Sequence, residues 1–108
     1  MNREFSEAVA ELEIYARQVP EDAGAYLNLG IALRYDGRLD RAMTELKKVI
    51  DMDGDANGNA HYQLARIYRE RKEYDAALRY FEIALQRGMK SPKTEAEYEA
   101  LKKESRRP

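Results

Sequence analysis

The sequence contains no cysteine, which excludes a disulfide framework, a thiolate metal site and a thiol nucleophile. A chain of this kind is typical of reducing cytosol, so we expect a cytoplasmic protein. No stretch approaches the roughly 20 consecutive apolar residues that a membrane span needs. The first residues also lack the basic stretch followed by an apolar run that is typical of a secretory signal. We therefore expect a soluble protein without a membrane partner.

Neither sign of charge is in excess, because 19 Lys and Arg face 20 Asp and Glu and leave a formal net charge of -1. Tracking a phosphate backbone needs a basic surplus. The eight tyrosines, of which Tyr35 and Tyr62 are the least constrained by the apolar pattern, could stack on bases, but the charge balance argues against it. We expect no nucleic-acid partner.

Proline and glycine are scarce, at 3 and 6 of 108 residues, and this scarcity favours uninterrupted helices. The single histidine, His61, has no spacing to a serine and an acid that would suggest nucleophilic catalysis. No Gly-rich phosphate loop or nucleotide fingerprint is present. We expect no enzymatic activity and no cofactor, and interpret His61 as a packing residue.

Apolar residues recur with one spacing in three segments that begin at Phe5, Leu39 and Tyr74. Each segment has apolar residues at i, i+3, i+4, i+7, i+10 and i+11, which is one face of a helix. Two further helices follow from similar offsets beginning at Tyr26 and His61. The repeat interval is 34 residues from 5 to 39 and 35 from 39 to 74. Intervals of this size indicate a solenoid of stacked helix pairs.

A sixth helix follows Ser91 and Pro92, an N-cap residue and a proline at the first helical position. Three of its positions that a further repeat would need apolar are polar: Glu95, Glu99 and Lys102. We therefore predict a terminal capping helix with Tyr98 and Leu101 turned inward. The six predicted helices lie at about 4–18, 23–36, 39–52, 58–71, 74–88 and 92–105.

These repeats resemble the tetratricopeptide repeat, whose signature is an aromatic residue, Leu-Gly, a second aromatic residue, Ala with a bulky residue four positions later, and a final Pro. The residues that fit it are Tyr26, Leu29, Gly30, Leu33, Ala42 and Leu46, then His61, Leu64, Ala65, Tyr68, Ala77 and Phe81, and in a half copy Ala8, Leu12 and Pro20. The resemblance implies an all-α helix-turn-helix solenoid, or αα superhelix, in a single domain, 1–108. It would comprise a half repeat at 4–22, full repeats at 23–56 and 58–91, and a capping helix at 92–106.

The resemblance also implies a function, the binding of another protein as a scaffold or adaptor. In this family the first helix of each repeat lines a concave groove, and residues off its core stripe point into it. The expected peptide-binding residues are Leu27, Asn28, Ile31, Arg34, Tyr35, Tyr62, Gln63, Arg66 and Arg69. Because they combine apolar and guanidinium groups, we expect a short helix or extended peptide with apolar and acidic residues. A solvated face with two stray apolar residues remains the alternative.

A structural or self-assembly role is the second class of function. The first helix matches the back half of a repeat whose front half is missing, so part of the stripe around Phe5 and Val9 is expected to lack cover. An uncovered apolar patch usually marks a contact. We therefore expect this helix to support dimerisation or docking onto a larger protein.

The acidic stretch that starts at Asp53 resembles the opening half of a calcium loop, with oxygen donors at its first, third and fifth places and Gly58 as its sixth residue. The twelfth place needs a bidentate carboxylate but holds Leu64, which belongs to an apolar stripe. We expect a turn that caps the next helix and no tight calcium site.

Overall fold

The computed structural model describes residues 3–107, and all regular secondary structure in this range is α-helical. The helices are α1 (Arg3–Gln18), α2 (Ala23–Tyr35), α3 (Leu39–Asp53), α4 (Asn59–Glu70), α5 (Tyr74–Arg87) and α6 (Pro92–Ser105). Each bound lies within about one residue of the predicted one, which is closer than the sequence pattern alone usually allows. The prediction of an all-α, helix-turn-helix fold is confirmed.

Local signals in the sequence fix several helix ends. The Asp22 side chain accepts a hydrogen bond from the backbone N–H of Ala25 and caps α2. Ser91 and Thr94 form a reciprocal capping box at the start of α6, with Pro92 as its first residue. Because these caps satisfy backbone groups that the helix itself leaves unpaired, the helices begin where the sequence predicts.

Cα packing divides the chain into two compact units, Met1–Gly54 and Asp55–Pro108, which we call the first and the second unit. In the first unit α2 packs against both α1 and α3. Leu33 and Leu46 are completely buried in its core. Gly30 allows α2 to approach α3 closely, because a Cβ atom there would lie 2.7 Å from Cγ of Leu46.

In the second unit α5 packs against both α4 and α6. The core cluster consists of Tyr62, Ala65, Ala77, Phe81, Ala84 and Leu101, with Tyr98 packed at its edge. Tyr62 and Phe81 meet edge to face, with ring centroids 5.5 Å apart. Leu101 is fully buried and Tyr98 half-buried, which confirms the predicted inward face of α6.

The expectation of an uncovered α1 is wrong for Val9. Its side chain is only 2% exposed, because this face of α1 packs on α2. The exposed large apolar residues of α1 are instead Ile14 and Tyr15, at 56% and 47%. Tyr15, predicted as part of the apolar stripe, turns outward, and its hydroxyl donates to Oδ2 of Asp22 at 3.3 Å.

Candidate functional site

The predicted binding residues of the first unit all lie on α2. Leu27 and Ile31, one turn apart, are half-buried, whereas Asn28 beside Leu27 is exposed. Arg34 is half-buried, with its guanidinium carbon 5.1 Å from the ring centroid of Tyr35. This contact is within the range of a cation–π interaction.

Tyr35 is the most exposed aromatic residue of this set, with 52% of its surface accessible. Its ring stacks on Phe5 of α1 at a centroid distance of 5.2 Å and an interplanar angle of 17°. Phe5 therefore supports the Tyr35 ring from one side, while Arg34 lies against it. The sequence prediction named Tyr35 but missed the part played by Phe5.

A buried carboxylate holds the start of α1 beside the end of α2. Asp36 is 1% exposed and accepts a hydrogen bond from the hydroxyl of Ser6 at 3.0 Å. Its other oxygen lies 2.9 Å from Nε of Arg38. The Asp36 backbone N–H donates to the carbonyl of Ala32 and closes α2. Through Ser6 and Asp36, the start of α1 is held where Phe5 can stack on Tyr35. The Ser6–Asp36 contact joins residues 30 positions apart, so no local spacing in the sequence could have indicated it.

The predicted residues of the second unit lie on α4, but two of them are not surface residues. Tyr62 is 5% exposed and Gln63 8% exposed, so the expectation that they line an open face is wrong. The Tyr62 ring belongs to the core cluster, where it contacts Phe81. Its hydroxyl donates to the carboxylate of Glu97, whose oxygens lie 2.8 and 2.9 Å away.

Arg66 and Arg69 were expected to bind carboxylates of a partner, but they contact carboxylates of α6 instead. Nη2 of Arg66 lies 3.3 Å from Glu97, and its guanidinium carbon lies 4.7 Å from the Tyr62 ring centroid. Nε and Nη2 of Arg69 lie 3.1 and 2.8 Å from one oxygen of Glu104. The expectation that both arginines face an unoccupied groove is therefore corrected, because α6 supplies their acidic partners.

These contacts change the acidity of the groups involved. The hydrogen bond from Arg69 is the main reason why the pKa of Glu104 lies below the ordinary glutamate value. Partial burial, followed by its hydrogen bond to Glu104, raises the pKa of Tyr74. Glu104 is thus held as a carboxylate between a guanidinium group and a phenol.

The acidic loop before α4 is a capping structure in this fold. Oδ2 of Asp55 accepts a hydrogen bond from the backbone N–H of His61 at 2.8 Å and lies 2.7 Å from Nδ1 of the same residue. Asp55 is 2% exposed and Leu64 is completely buried, so the interpretation of Leu64 as a core residue is confirmed. His61 is buried beside Tyr80 and is a packing residue, as predicted. Within residues 3–107, no cluster of three His, Asp or Glu side chains is placed to hold a metal ion.

A cleft of about 170 Å³ in the first unit opens among α1, α2 and α3, lined by Glu13, Ala16, Arg17, Tyr26, Leu29, Arg41, Glu45 and Lys48. It contains none of the predicted binding residues. Arg41 and Glu13 form an ion pair there, and Lys48 lies over the Tyr26 ring at 4.5 Å. We regard it as a charged surface cleft rather than the site.

No helix in the described part of the chain is both long and apolar enough to cross a membrane.

Comparisons with known proteins agree with this geometry. One tetratricopeptide repeat model matches residues 33–104, and a second matches residues 2–57. The crystal structure of a thermophilic tetratricopeptide repeat protein of Thermus thermophilus superposes with a TM-score of 0.79 at 23% sequence identity. The aligned region covers 93% of this chain but 53% of that one, so the chain spans about half of that protein's length. This likeness concerns the fold alone, and no curated protein matches in sequence.

Proposed function

We propose that this chain, which belongs to the tetratricopeptide repeat family, binds a short helix or extended peptide of another protein through the first helices of its repeats. The family fold is that of a protein–protein interaction or scaffold module, and its members are in general not enzymes. The proposal adds the form of the ligand, a segment with apolar and acidic residues, and the surfaces that contact it.

The observation that carries the proposal is the supported, exposed ring of Tyr35. A tyrosine and an arginine are the residue types enriched in the energetically important centres of interfaces. Because Phe5 and Arg34 already hold this ring, binding costs less side-chain entropy than it would for a freely rotating tyrosine. Leu27 and Ile31 on the same helix provide apolar surface for the ligand.

The test is a selection of peptides from a displayed library on the immobilised full chain, followed by fluorescence anisotropy with the selected peptides. Tyr35→Ser should weaken binding at least about tenfold, because truncating an aromatic interface anchor commonly costs that much. Tyr15→Ser is the matched control, since Tyr15 is a comparably exposed tyrosine on α1. It should leave the affinity unchanged. Selected peptides without acidic residues, or equal effects of the two substitutions, would contradict the proposal.

A self-assembly or docking role is the second candidate, and Ile14 and Tyr15 favour it. Both are exposed and adjacent on α1. Analytical ultracentrifugation of the full chain tests this candidate directly. A dimer that Ile14→Glu dissociates would support it, whereas a monomer at every concentration would argue against it.

A further inference from the structure

The contact between α4 and α6 has a consistent chemistry, in which α4 supplies the donors and α6 the acceptors. Tyr62 and Arg66 meet Glu97, and Arg69 meets Glu104. Glu97 and Glu104, which we call the acidic pair, are seven residues apart. Two helical turns therefore bring them to one side of α6.

The apolar contact of α6 with the rest of the second unit is small, and it includes α5 as well as α4. Leu101 and Thr94 are the buried residues of α6, and Thr94 serves its capping box. Tyr98 adds a half-buried ring that lies 5.7 Å from Phe81. A single buried leucine, the Tyr98 ring with its hydroxyl donating to Glu82 of α5, and the two carboxylates that face α4 thus hold α6. These are the features of an acidic amphipathic helix bound to a basic and aromatic helix face.

We propose that Tyr62, Arg66 and Arg69 form a recognition surface for an acidic helix, that α6 is its resident occupant, and that a helix of a partner protein takes the place of α6. The partner helix carries carboxylates two turns apart, with an aromatic and an aliphatic residue between them. This inference rests on the proposed function and specifies the ligand for the second unit. It also gives α6 an autoinhibitory role.

The tether between α5 and α6 makes the competition unequal. Four residues, 88–91, separate the two helices, so α6 is present at α4 at a high effective concentration. A free helix of the same chemistry must therefore bind the intact chain weakly. Its affinity must rise when α6 loses the side chains that contact α4.

The chain offers a matched control on the same helix. Glu95 and Glu99, the outer pair, are exposed and lie near Lys90 and Lys102. Each is two residues from Glu97, which puts the outer pair on the opposite side of α6 from the acidic pair. Neutralising the outer pair changes the net charge by the same amount as neutralising the acidic pair. A difference between the two double variants therefore reports the α4 contact rather than overall charge.

The experiment measures anisotropy of a labelled synthetic peptide of residues 91–107 with three full-length chains: native, Glu97→Gln with Glu104→Gln, and Glu95→Gln with Glu99→Gln. The acidic-pair variant should bind the peptide about tenfold more tightly than the other two, because its own α6 has lost two charge-assisted contacts. Added salt should weaken this binding, since it screens the guanidinium–carboxylate attraction. Equal affinities of the two double variants would overturn the proposal.

Hydrogen exchange of the native chain provides a second test that needs no variant. Excess unlabelled peptide should speed exchange of the α6 amides and leave the α3 amides unchanged. Unchanged α6 exchange at saturating peptide, or a native dimer formed by exchange of α6 between two copies, would also overturn the proposal. Tyr35→Ser should not affect binding of this peptide. If Tyr35→Ser abolishes binding of library-selected peptides while the α6 peptide never binds, the proposed function stands and this inference fails.

Discussion

Replacing Gly30 by alanine should destabilise the first unit, although alanine is the better helix former. The helical preference of alanine over glycine favours the variant by about 1 kcal/mol. The new Cβ atom, however, would lie 2.7 and 2.8 Å from Cγ and Cδ2 of Leu46, which is closer than real carbon contacts. Leu46 is completely buried and has little room to move, so overpacking costs about 1–3 kcal/mol. We expect a net loss of about 1 kcal/mol.

Urea unfolding followed by circular dichroism measures this loss, and a double-mutant cycle with Leu46→Ala identifies its cause. Truncation of Leu46 alone should cost about 2–5 kcal/mol, because it leaves a cavity. In the double variant the methyl group introduced by Gly30→Ala fills part of that cavity. The double variant should therefore lose about 1 kcal/mol less unfolding free energy than the sum of the two single variants. A stabilising Gly30→Ala substitution, or strict additivity, would refute the close approach of α2 to α3.

Backbone conformation, the acidity of one carboxylate and the acidic loop give three further predictions. Lys72 and Gly37 both have left-handed backbone, with φ of 61° and 81°. Because glycine adopts this conformation at the lowest cost, Lys72→Gly should stabilise the chain by about 0.5–1 kcal/mol and Gly37→Ala should destabilise it by a similar amount. Urea unfolding measures both changes. Since Arg69 lowers the pKa of Glu104, this carboxylate stabilises the fold above the ordinary glutamate pKa of about 4.3, and the contribution is lost as the pH falls through the lowered value. Glu104→Gln should accordingly lower the free energy of unfolding by about 0.5–1 kcal/mol at neutral pH, a modest amount because the pair is partly exposed. The difference from the native chain should shrink as the pH falls through the lowered pKa of Glu104. Isothermal titration with calcium should show no micromolar site in the loop after α3, whose buried Asp55 carboxylate faces His61; micromolar affinity would contradict this.

The sequence predicts the helices well because their signals are local. The apolar stripe from Leu39, the cap at Ser91 and the proline after it each act within one or two turns. Periodicity is less decisive at the edge of a stripe. Tyr15 has the correct offset for the core, yet it turns outward and contacts Asp22.

The surfaces are harder to predict because their partners are distant in the chain. Arg69 and Glu104 are 35 residues apart, and nothing in a chain with 19 basic and 20 acidic residues indicates which of them pair. Tyr62 occupies a position that faces both the core and α6, so its offset alone suggests more exposure than it has. Charge reversal of Arg66 and Arg69 should consequently loosen α6 as well as change binding.

The most direct test of the proposed binding role is chemical-shift mapping on the isotopically labelled full chain, titrated with a library-selected acidic and apolar peptide. The largest amide shifts should occur in α2, around Leu27, Ile31 and Tyr35. Shifts in α4 should occur only together with shifts in α6, because α6 must leave α4 before a ligand contacts Arg66 and Arg69. Shifts confined to the outer side of α1, around Ile14 and Tyr15, or to α3 and α5, would contradict the account.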